Sequence, residues 1–303
     1  MSTRGPSLRL SRSTSISTAA TTGAASTASC RDNFVQPKLP KLSTATVPQL
    51  VGNLDSPNGW TRDTAARLLY ERQDRRAVVE LERLLSKPSS ALGRIHALYA
   101  LQGLLALEAK HLVASLADSD ERVREHAVRL SEPALLGTRS SGAIAAKLLA
   151  MTTELSPRVR YQLAFTLGEV QSPARPKALA DLIRYNADNA QMRAAVLSSL
   201  TDGAGEVFAG LVRDVRFRAQ PGNEEFLRQL AEMIGSRNNY AEAKPVLEFA
   251  AKPDPAAPVA MWVRALGDGT VRAGTTLAVL DKLSYLKGVF SSAAQTVGNE
   301  KAA

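Results

Sequence analysis

One short pattern of residues recurs along this chain at nearly even spacing. An arginine is followed by alanine three positions later and by leucine six or seven positions later, at Arg62, Arg94 and Arg124. Looser copies begin at Arg160 and Arg193. The five arginines are separated by 32, 30, 36 and 33 residues, and a repeat of about 20–50 residues is typical of stacked supersecondary units. The pattern therefore predicts an array of similar units.

Each unit is predicted to be two α-helices joined by a tight turn. In the first unit, the apolar residues from Val47 to Leu54 fall at i, i+3, i+4 and i+7, which indicates an amphipathic helix. A turn rich in small and polar residues follows, and a second helix begins near Trp60. Four more pairs are predicted at 77–85 with 92–105, 110–116 with 122–130, 141–152 with 158–170, and 174–186 with 189–200.

The repeat pattern decays after Leu200, although helices are still predicted at 207–218, 224–233, 240–251 and 259–266. Asp268, Gly269 and Thr270 are predicted to break the chain before a final helix at 277–289. Aromatic residues make up only 5% of the chain, and its apolar content comes mainly from Ala, Leu and Val. This composition favours closely packed helices over β-structure.

The two ends differ from the repeats in composition. The first 30 residues contain 14 Ser or Thr, and such a segment buries too little apolar surface to offset its ordering entropy. We predict a disordered basic tail at 1–45, the repeat array at 46–290 and a second disordered tail at 291–303. An organelle transit peptide and a lipoprotein signal near Cys30 are alternative interpretations of the first tail.

The formal net charge of +9 is unevenly distributed. Residues 1–47 hold six basic side chains against Asp32 alone, so +5 lies in this segment and +4 in the remainder. A nucleic-acid footprint needs concentrated positive charge on one face. The modest charge of the repeats therefore argues against nucleic acid as the partner.

Cysteine content and hydropathy exclude two further classes. Cys30 is the only cysteine, which rules out an intrachain disulfide and a metal site built from several cysteines. The nearest candidate for a membrane span, residues 143–151, is interrupted by Lys147 and is shorter than the roughly 18 apolar residues that a span needs. No transmembrane segment is predicted.

Three of the repeated segments resemble a known class of helical repeat. Residues 56–69, 94–104 and 124–132 read SPNGWTRDTAARLL, RIHALYALQGL and REHAVRLSE. They are similar to phycobilisome-lyase-like HEAT repeats, and in particular to the HEAT region of large haem-binding proteins of planctomycetes and related bacteria, described as membrane-bound dehydrogenase-like. The resemblance covers about residues 46–273. It implies an all-α fold: a right-handed α-solenoid of tandem HEAT-like helix pairs, which is an armadillo-like architecture.

The resembling proteins also carry parts that this sequence lacks. In that family the HEAT region lies between a β-propeller and a cytochrome c module. Here no propeller-length segment precedes Thr46, and there is no Cys-x-x-Cys-His haem attachment sequence. We therefore expect neither dehydrogenase activity nor a cofactor. The resemblance implies an extracytoplasmic, periplasmic location, although the chain shows no clear signal peptide.

The three histidines are candidates for a metal site. His96, His111 and His126 are evenly spaced, and the first and last each follow a repeated arginine by two positions. Equivalent positions on neighbouring helix pairs are expected about 10 Å apart, too far for two ligands of one zinc ion with bonds near 2 Å. We interpret these histidines as repeat positions and predict no metal site.

The aligned arginines, here called the arginine ladder, are the main candidate interaction residues: Arg62, Arg94, Arg124, Arg160 and Arg193. Stacked arginines can line a groove for a carboxylate or phosphate partner. Alternatively, each arginine bonds the loop before it, where Asp55, Asp118 and Asp120 are available as acceptors. We favour this second, inter-repeat role.

Four other features have simple interpretations. Trp60 and Tyr99 are either exposed anchors for a partner or core residues, and we predict the core. Gly203-Ala204-Gly205 lacks the third glycine and the preceding strand of a dinucleotide site, so it is interpreted as a loop. Asp118-Ser119-Asp120 lacks the later residues of a calcium loop and is predicted to be a turn in which Asp120 caps a helix.

Five repeats without a catalytic motif predict a scaffold and not an enzyme. We expect a HEAT-repeat protein that binds a protein partner or a neighbouring domain and is monomeric by itself. The alternative is that the chain is the scaffold part, as a fragment or subunit, of an extracytoplasmic haem-containing oxidoreductase whose propeller and cytochrome c parts are absent here.

Overall fold

The computed structural model describes residues 40–86, 89–136, 141–220, 222–252 and 257–291. Within these ranges the backbone forms helices and connecting loops and contains no β-strand, which confirms the predicted all-α class. Most of the two predicted disordered tails, at 1–39 and 292–303, lies outside the described ranges, as does Cys30. Residues 40–45, assigned to the first tail, are described, and Leu42 is buried within a 3-10 turn, Leu42–Thr44.

Ten helices occupy the region of the repeat pattern, as five consecutive pairs. They are α1 (Val47–Asn53) with α2 (Gly59–Arg72), α3 (Ala77–Ser86) with α4 (Ala91–Gly103), α5 (Ala109–Ser115) with α6 (Glu121–Leu135), α7 (Ser141–Leu149) with α8 (Pro157–Thr166), and α9 (Arg175–Ile183) with α10 (Ala190–Ser199). All ten were predicted. The largest difference is in α6, which continues past its predicted end at Leu130 through Pro133.

Further helices follow: α11 (Ala204–Val212), α12 (Val215–Arg218), α13 (Asn223–Ser236), α14 (Tyr240–Ala250), α15 (Val259–Arg272) and α16 (Leu277–Leu280), and residues 287–291 are also helical. Three predictions here were wrong. The helix predicted at 207–218 is two helices, because the Asp214 carboxylate accepts hydrogen bonds from the amides of Arg216 and Phe217 and begins α12 there.

The second and third corrections concern the end of the chain. The break predicted at 268–270 does not exist, because α15 continues through Gly269 to Arg272. The final helix predicted at 277–289 is interrupted: α16 ends at Leu280, and helical backbone resumes only at 287–291. Immediately after Leu280, the carboxylate of Asp281 accepts hydrogen bonds from the amides of Tyr285 and Leu286, so it holds a turn instead of continuing the helix.

The second helix of each pair begins at a fixed distance from its ladder arginine. The residue four positions before the arginine is always the N-cap: Asn58, Ser90, Asp120, Ser156 or Asn189. Four of these side chains accept a backbone N–H of the first turn, which confirms Asp120 as a cap. At the fifth, Pro157 occupies the first helical position, where its missing N–H costs nothing.

The two helices of a pair contact each other in the first, second, third and fifth pairs, and contacts also join helices of successive pairs. The second helices contact one another in succession, α2 with α4, α4 with α6, α6 with α8 and α8 with α10. Among the first helices, α1 contacts α3, α5 contacts α7, and α9 contacts α11. These contacts bury Ala, Leu, Val and Ile side chains along the whole described chain. The buried residues form two clusters, one within residues 42–104 and a larger one within residues 91–286.

Two glycines allow the closest helix crossing in the second half, between α13 and α15. A Cβ at Gly269 would overlap the backbone carbonyl oxygen of Glu232, and a Cβ at Gly235 would overlap that of Leu266. Both glycines are buried. The break predicted at Gly269 is thus a helix-packing contact, a role that a single glycine in a sequence does not distinguish from a turn.

We expect Gly269→Ala to destabilise the protein by about 1–3 kcal/mol, because the methyl group forces α13 and α15 apart. Gly267→Ala is the matched control in the same helix. Its Cβ would lie 3.7 Å from Leu277 Cδ2, an ordinary contact, so it should stabilise α15 by up to about 1 kcal/mol. Chemical denaturation of the two variants measures both effects, and equal effects of the same sign would contradict the close crossing.

Candidate functional site

All five ladder arginines hold the turn that precedes their helix. In each, Nη1 donates a hydrogen bond to a backbone carbonyl five or six residues earlier. The acceptors are Ser56 O at 2.7 Å, Ser89 O at 2.5 Å, Asp118 O at 2.8 Å, Leu155 O at 2.7 Å and Ala187 O at 2.8 Å. These carbonyls lie outside the helices and need a donor. One edge of every guanidinium group is therefore occupied by a hydrogen bond within the protein.

Two ladder arginines also bind a carboxylate of the next helix pair. Arg94 donates from Nε and Nη2 to both oxygens of Asp118, at 2.7 and 2.8 Å. Arg124 does the same with Glu154, at 2.8 Å for both bonds. Hydrogen bonds from the Arg124 guanidinium hold the pKa of Glu154 below its usual range. Such two-pronged, charge-assisted pairs are strong and directional.

The sequence predicted Asp118 as an acceptor, but the geometry differs in detail. The Asp118 carboxylate binds Arg94 of the preceding pair, and its backbone carbonyl binds Arg124 of its own pair. Asp120 pairs with Arg122, whose hydrogen bonds lower the pKa of Asp120 to about 2. Asp55 accepts hydrogen bonds from the amide and hydroxyl of Ser90 and not from Arg62.

Glu154 is the last of the described carboxylates along the chain that pairs with a ladder arginine. Both Asp118 and Glu154 stand six residues before a ladder arginine, and the same position before Arg193 is occupied by Ala187. Accordingly, among the described residues Arg160 has no carboxylate partner, and its Nε is buried without a hydrogen-bond acceptor. The Nε of Arg193 is in the same condition. Arg160 and Arg193 therefore keep only their turn contacts.

We expect Ala187→Asp to restore the missing pair with Arg160 and to raise or preserve the melting temperature, by an amount equivalent to about 1 kcal/mol. Ala127→Asp is the contrast, because both alanines are buried in the same core cluster, but only position 187 stands six residues before a ladder arginine, as Asp118 and Glu154 do. An unpaired carboxylate at position 127 should cost about 3–5 kcal/mol. Thermal denaturation followed by circular dichroism separates the two; comparable losses in both variants would refute the assignment of position 187.

The glycines at 203 and 205 form the start of α11, and their amides are already occupied. Gly203 has a φ of +75°, a conformation that favours glycine. The carboxylate of Glu242, on α14, accepts hydrogen bonds from the Gly203 and Gly205 amides at 2.7 and 2.6 Å. A helix N-terminus attracts a negative group, and for α11 that group is the Glu242 carboxylate of the protein itself.

The three histidines are each bonded to neighbouring protein groups. His96 Nε2 accepts from Arg62 Nε at 3.4 Å, and His126 Nδ1 lies 2.9 Å from the Tyr99 hydroxyl. His111 is buried, with Nδ1 accepting from the Glu108 amide and Nε2 lying 2.8 Å from a Glu82 carboxylate oxygen. Within the described ranges, no group of three or more His, Cys, Asp or Glu side chains is arranged to hold a metal ion.

Burial lowers the pKa of both His96 and His126. For His96, Arg62 lowers the pKa further and Asp63 opposes it. For His126, Glu125 raises the pKa, while Arg129 and Arg158 lower it. Because the folded protein binds these protons less readily than the unfolded chain does, stability from these groups is complete above the ordinary histidine pKa of about 6.5. It is lost as the pH falls below that value.

We therefore expect the melting temperature of the wild type to fall between pH 7.5 and pH 5.5. A variant with His96→Gln and His126→Gln should show a smaller fall, because glutamine takes up no proton. The carboxylates with lowered pKa, such as Glu154, titrate at more acidic pH and do not contribute in this window. Parallel pH profiles for the two proteins would show that these histidines do not control the effect.

The predicted burial of Trp60 and Tyr99 was wrong. Trp60 is 58% exposed and Tyr99 is 37% exposed. Both lie on second helices, where the small residues at the repeat positions, Ala65 and Ala97, take the buried places. The alternative that the sequence left open, exposed aromatic side chains, is what the structure shows.

Sequence reasoning missed a further exposed aromatic pair on α8. Tyr161 and Phe165 are 41% and 40% exposed, and their rings meet edge to face with centroids 5.1 Å apart. Phe165 follows Arg160 by five positions, as Tyr99 follows Arg94. This shared offset was visible in the sequence, but it identifies a surface position only once the helix faces are known.

No helix in the described part of the chain combines the length and the apolar character of a membrane span. No protein-family profile matches the sequence, and no curated protein matches it either. The second helices thus combine arginines bonded inside the fold with exposed aromatic side chains.

Proposed function

We propose that this chain is a non-catalytic scaffold: a right-handed α-solenoid of HEAT-like helix pairs that binds a protein partner or a neighbouring domain. The succession of contacts from each helix to a helix of the next pair supports the solenoid, because repeat arrays are held together by contacts between adjacent units. Pairs of similar length with a fixed cap and arginine register support the HEAT-like repeat.

The observation that carries the binding role is the exposure of aromatic side chains along the second helices. Trp60 on α2, Tyr99 on α4 and Phe165 on α8 all remain accessible to solvent. Aromatic residues together with arginine are enriched at protein interfaces, and a few of them supply most of the binding free energy. Leaving such side chains in water costs hydrophobic free energy that a partner would recover.

The position of the arginines favours a protein partner over a continuous anion groove. All five ladder residues use Nη1 on turn carbonyls, and Arg94 and Arg124 also bind internal carboxylates. Their guanidinium groups are largely satisfied before any ligand arrives. The ladder arginines of α4 and α6 are therefore engaged within the fold, while aromatic side chains of α2 and α4 remain exposed.

The test is affinity capture from the source organism with the full chain, followed by mass spectrometry and a haem-absorbance scan of the eluate. We expect a reproducible protein partner whose recovery falls about tenfold with Trp60→Ala plus Tyr99→Ala. Tyr185→Ala, at an exposed aromatic residue on the turn after α9, is the matched control and should retain the partner.

Equal recovery by the wild type and the double variant would contradict binding through the second helices. Absence of any partner specific to the full chain would contradict the scaffold function itself. Recovery of a haem protein would identify the partner as part of a redox assembly.

A further inference from the structure

The positive charge of the second helices is least compensated on α8 and α10. These two helices contain Arg158, Arg160 and Arg193 and no acidic residue. Arg158 donates to Glu125 of α6 at 2.6 Å, so its charge is met. Among the described residues, Arg160 and Arg193 have no carboxylate within ion-pair distance, and each has a buried Nε without an acceptor.

The acid whose pKa Arg193 lowers, Glu225, is already engaged by other side chains. Glu225, on α13, is bound through both oxygens by Arg228, at 2.8 and 2.9 Å, and it also accepts from Gln229. The Arg228 guanidinium, with a smaller contribution from Arg193, holds the pKa of Glu225 below its usual range. Arg193 therefore influences this acid at a distance without pairing with it.

The ladder itself shows which group its arginines bind. At Arg94 and Arg124 the same guanidinium edge, Nε with Nη2, is filled by a carboxylate held through two hydrogen bonds. Arg160 holds its turn as those arginines do, but the residue six positions before the next ladder arginine is Ala187, which has no carboxylate to offer. By comparison with Arg94 and Arg124, a carboxylate is therefore the group that would pair with Arg160.

Apolar surface adjoins these two arginines. Tyr161 and Phe165 stand on α8 as an exposed pair, and Leu155, whose carbonyl accepts from Arg160, is among the most exposed apolar residues of the protein. Ser199 of α10 donates to the Phe165 carbonyl, which places α10 directly beside this pair. The two exposed rings and Arg160 therefore belong to one helix, and Arg193 belongs to the helix that contacts it.

We propose that the α8–α10 surface, defined by Arg160, Tyr161, Phe165 and Arg193, is the docking surface for an acidic peptide segment of a protein partner. Carboxylates of the segment pair with the two arginines, and apolar side chains between them cover the aromatic pair. This inference rests on the proposed function, because it names the chemistry of the protein that the scaffold binds.

The spacing of the two arginines sets the spacing of the acids. Packed helices lie about 8–10 Å apart, and a peptide in the polyproline II conformation advances about 3.1 Å per residue with three residues per turn, so every third side chain points the same way. Acidic residues three positions apart therefore match equivalent positions on α8 and α10. A segment with Glu at every third position, and Leu or Ala between, is the simplest probe that satisfies both requirements.

The experiment measures fluorescence anisotropy of a labelled peptide of that design with the full chain. An otherwise identical peptide with Gln in place of Glu isolates the charge, and a single-stranded oligonucleotide of similar length tests phosphate as the alternative anion. We expect the Glu peptide to bind at least about tenfold more tightly than the Gln peptide, and to weaken as salt is raised.

Variants locate the binding surface. Arg160→Gln plus Arg193→Gln should weaken binding of the Glu peptide about tenfold, and Phe165→Ser should weaken binding of both peptides. Lys177→Gln, an exposed cation on α9, is the matched charge control and should have no effect. Because removing Arg160 also frees turn carbonyls, Ala187→Asp serves as the second variant: it keeps both arginines, supplies Arg160 with an internal carboxylate, and should weaken the Glu peptide alone.

Several results would overturn the inference. They are equal affinity for the Glu and Gln peptides, no binding of either, tighter binding of the oligonucleotide, or binding that the arginine and Ala187 variants leave unchanged. These outcomes are separable from failure of the proposed function. A partner that is captured through Trp60 and Tyr99 but is not displaced by the Glu peptide would leave the scaffold function standing and remove this docking surface.

Discussion

The repeated unit depends on the bond from a ladder arginine to the carbonyls of the turn before it. A tight turn between two helices leaves peptide carbonyls without partners, and a buried carbonyl without a donor is costly. The guanidinium supplies that donor from the first turn of the next helix, while the N-cap residue four positions earlier satisfies amides at the same helix end. Cap and arginine together fix where each second helix begins.

The same arginine then connects one unit to the next. Arg94 and Arg124 use their remaining nitrogens on a carboxylate of the following turn, whose own backbone carbonyl accepts from the next arginine. Buried ion pairs of this kind contribute little net free energy compared with apolar packing, but breaking one is costly, so they select one register over others. The core supplies the stability, and the ladder fixes the alignment of the pairs.

The helices of the first five pairs were predictable because their signals are local. Apolar spacing, the cap residues and the turns of Asp, Ser, Pro and Asn lie within a few residues of the structure that they specify. The errors arose where the decisive partner is distant in sequence. Gly269 looks like a break until α13 is known to cross it, and nothing near Gly203 indicates that Glu242 binds its amide.

The candidate site was likewise predictable only in part. The arginine positions were visible as a repeat, yet which carboxylate each one binds depends on the next helix pair, about 24 to 30 residues further along. Trp60 was predicted to be buried because aromatic side chains usually are. The small alanines of the repeat let the second helices pack closely, which leaves the larger rings no space except at the surface.

Alanine at position 187, where the two preceding turns have an acid, also affects how firmly neighbouring helices are held. Directional polar bonds join the turns continuously from Asp55 to Arg160, and such bonds resist sliding because they weaken steeply when misaligned. Between α8 and α10 the helices are joined by apolar packing and one long hydrogen bond, Ser199 to Phe165 at 3.4 Å. Apolar contacts are non-directional, so we expect α10 to slide against α8 with less resistance than α8 meets against α6, to which several side-chain bonds join it.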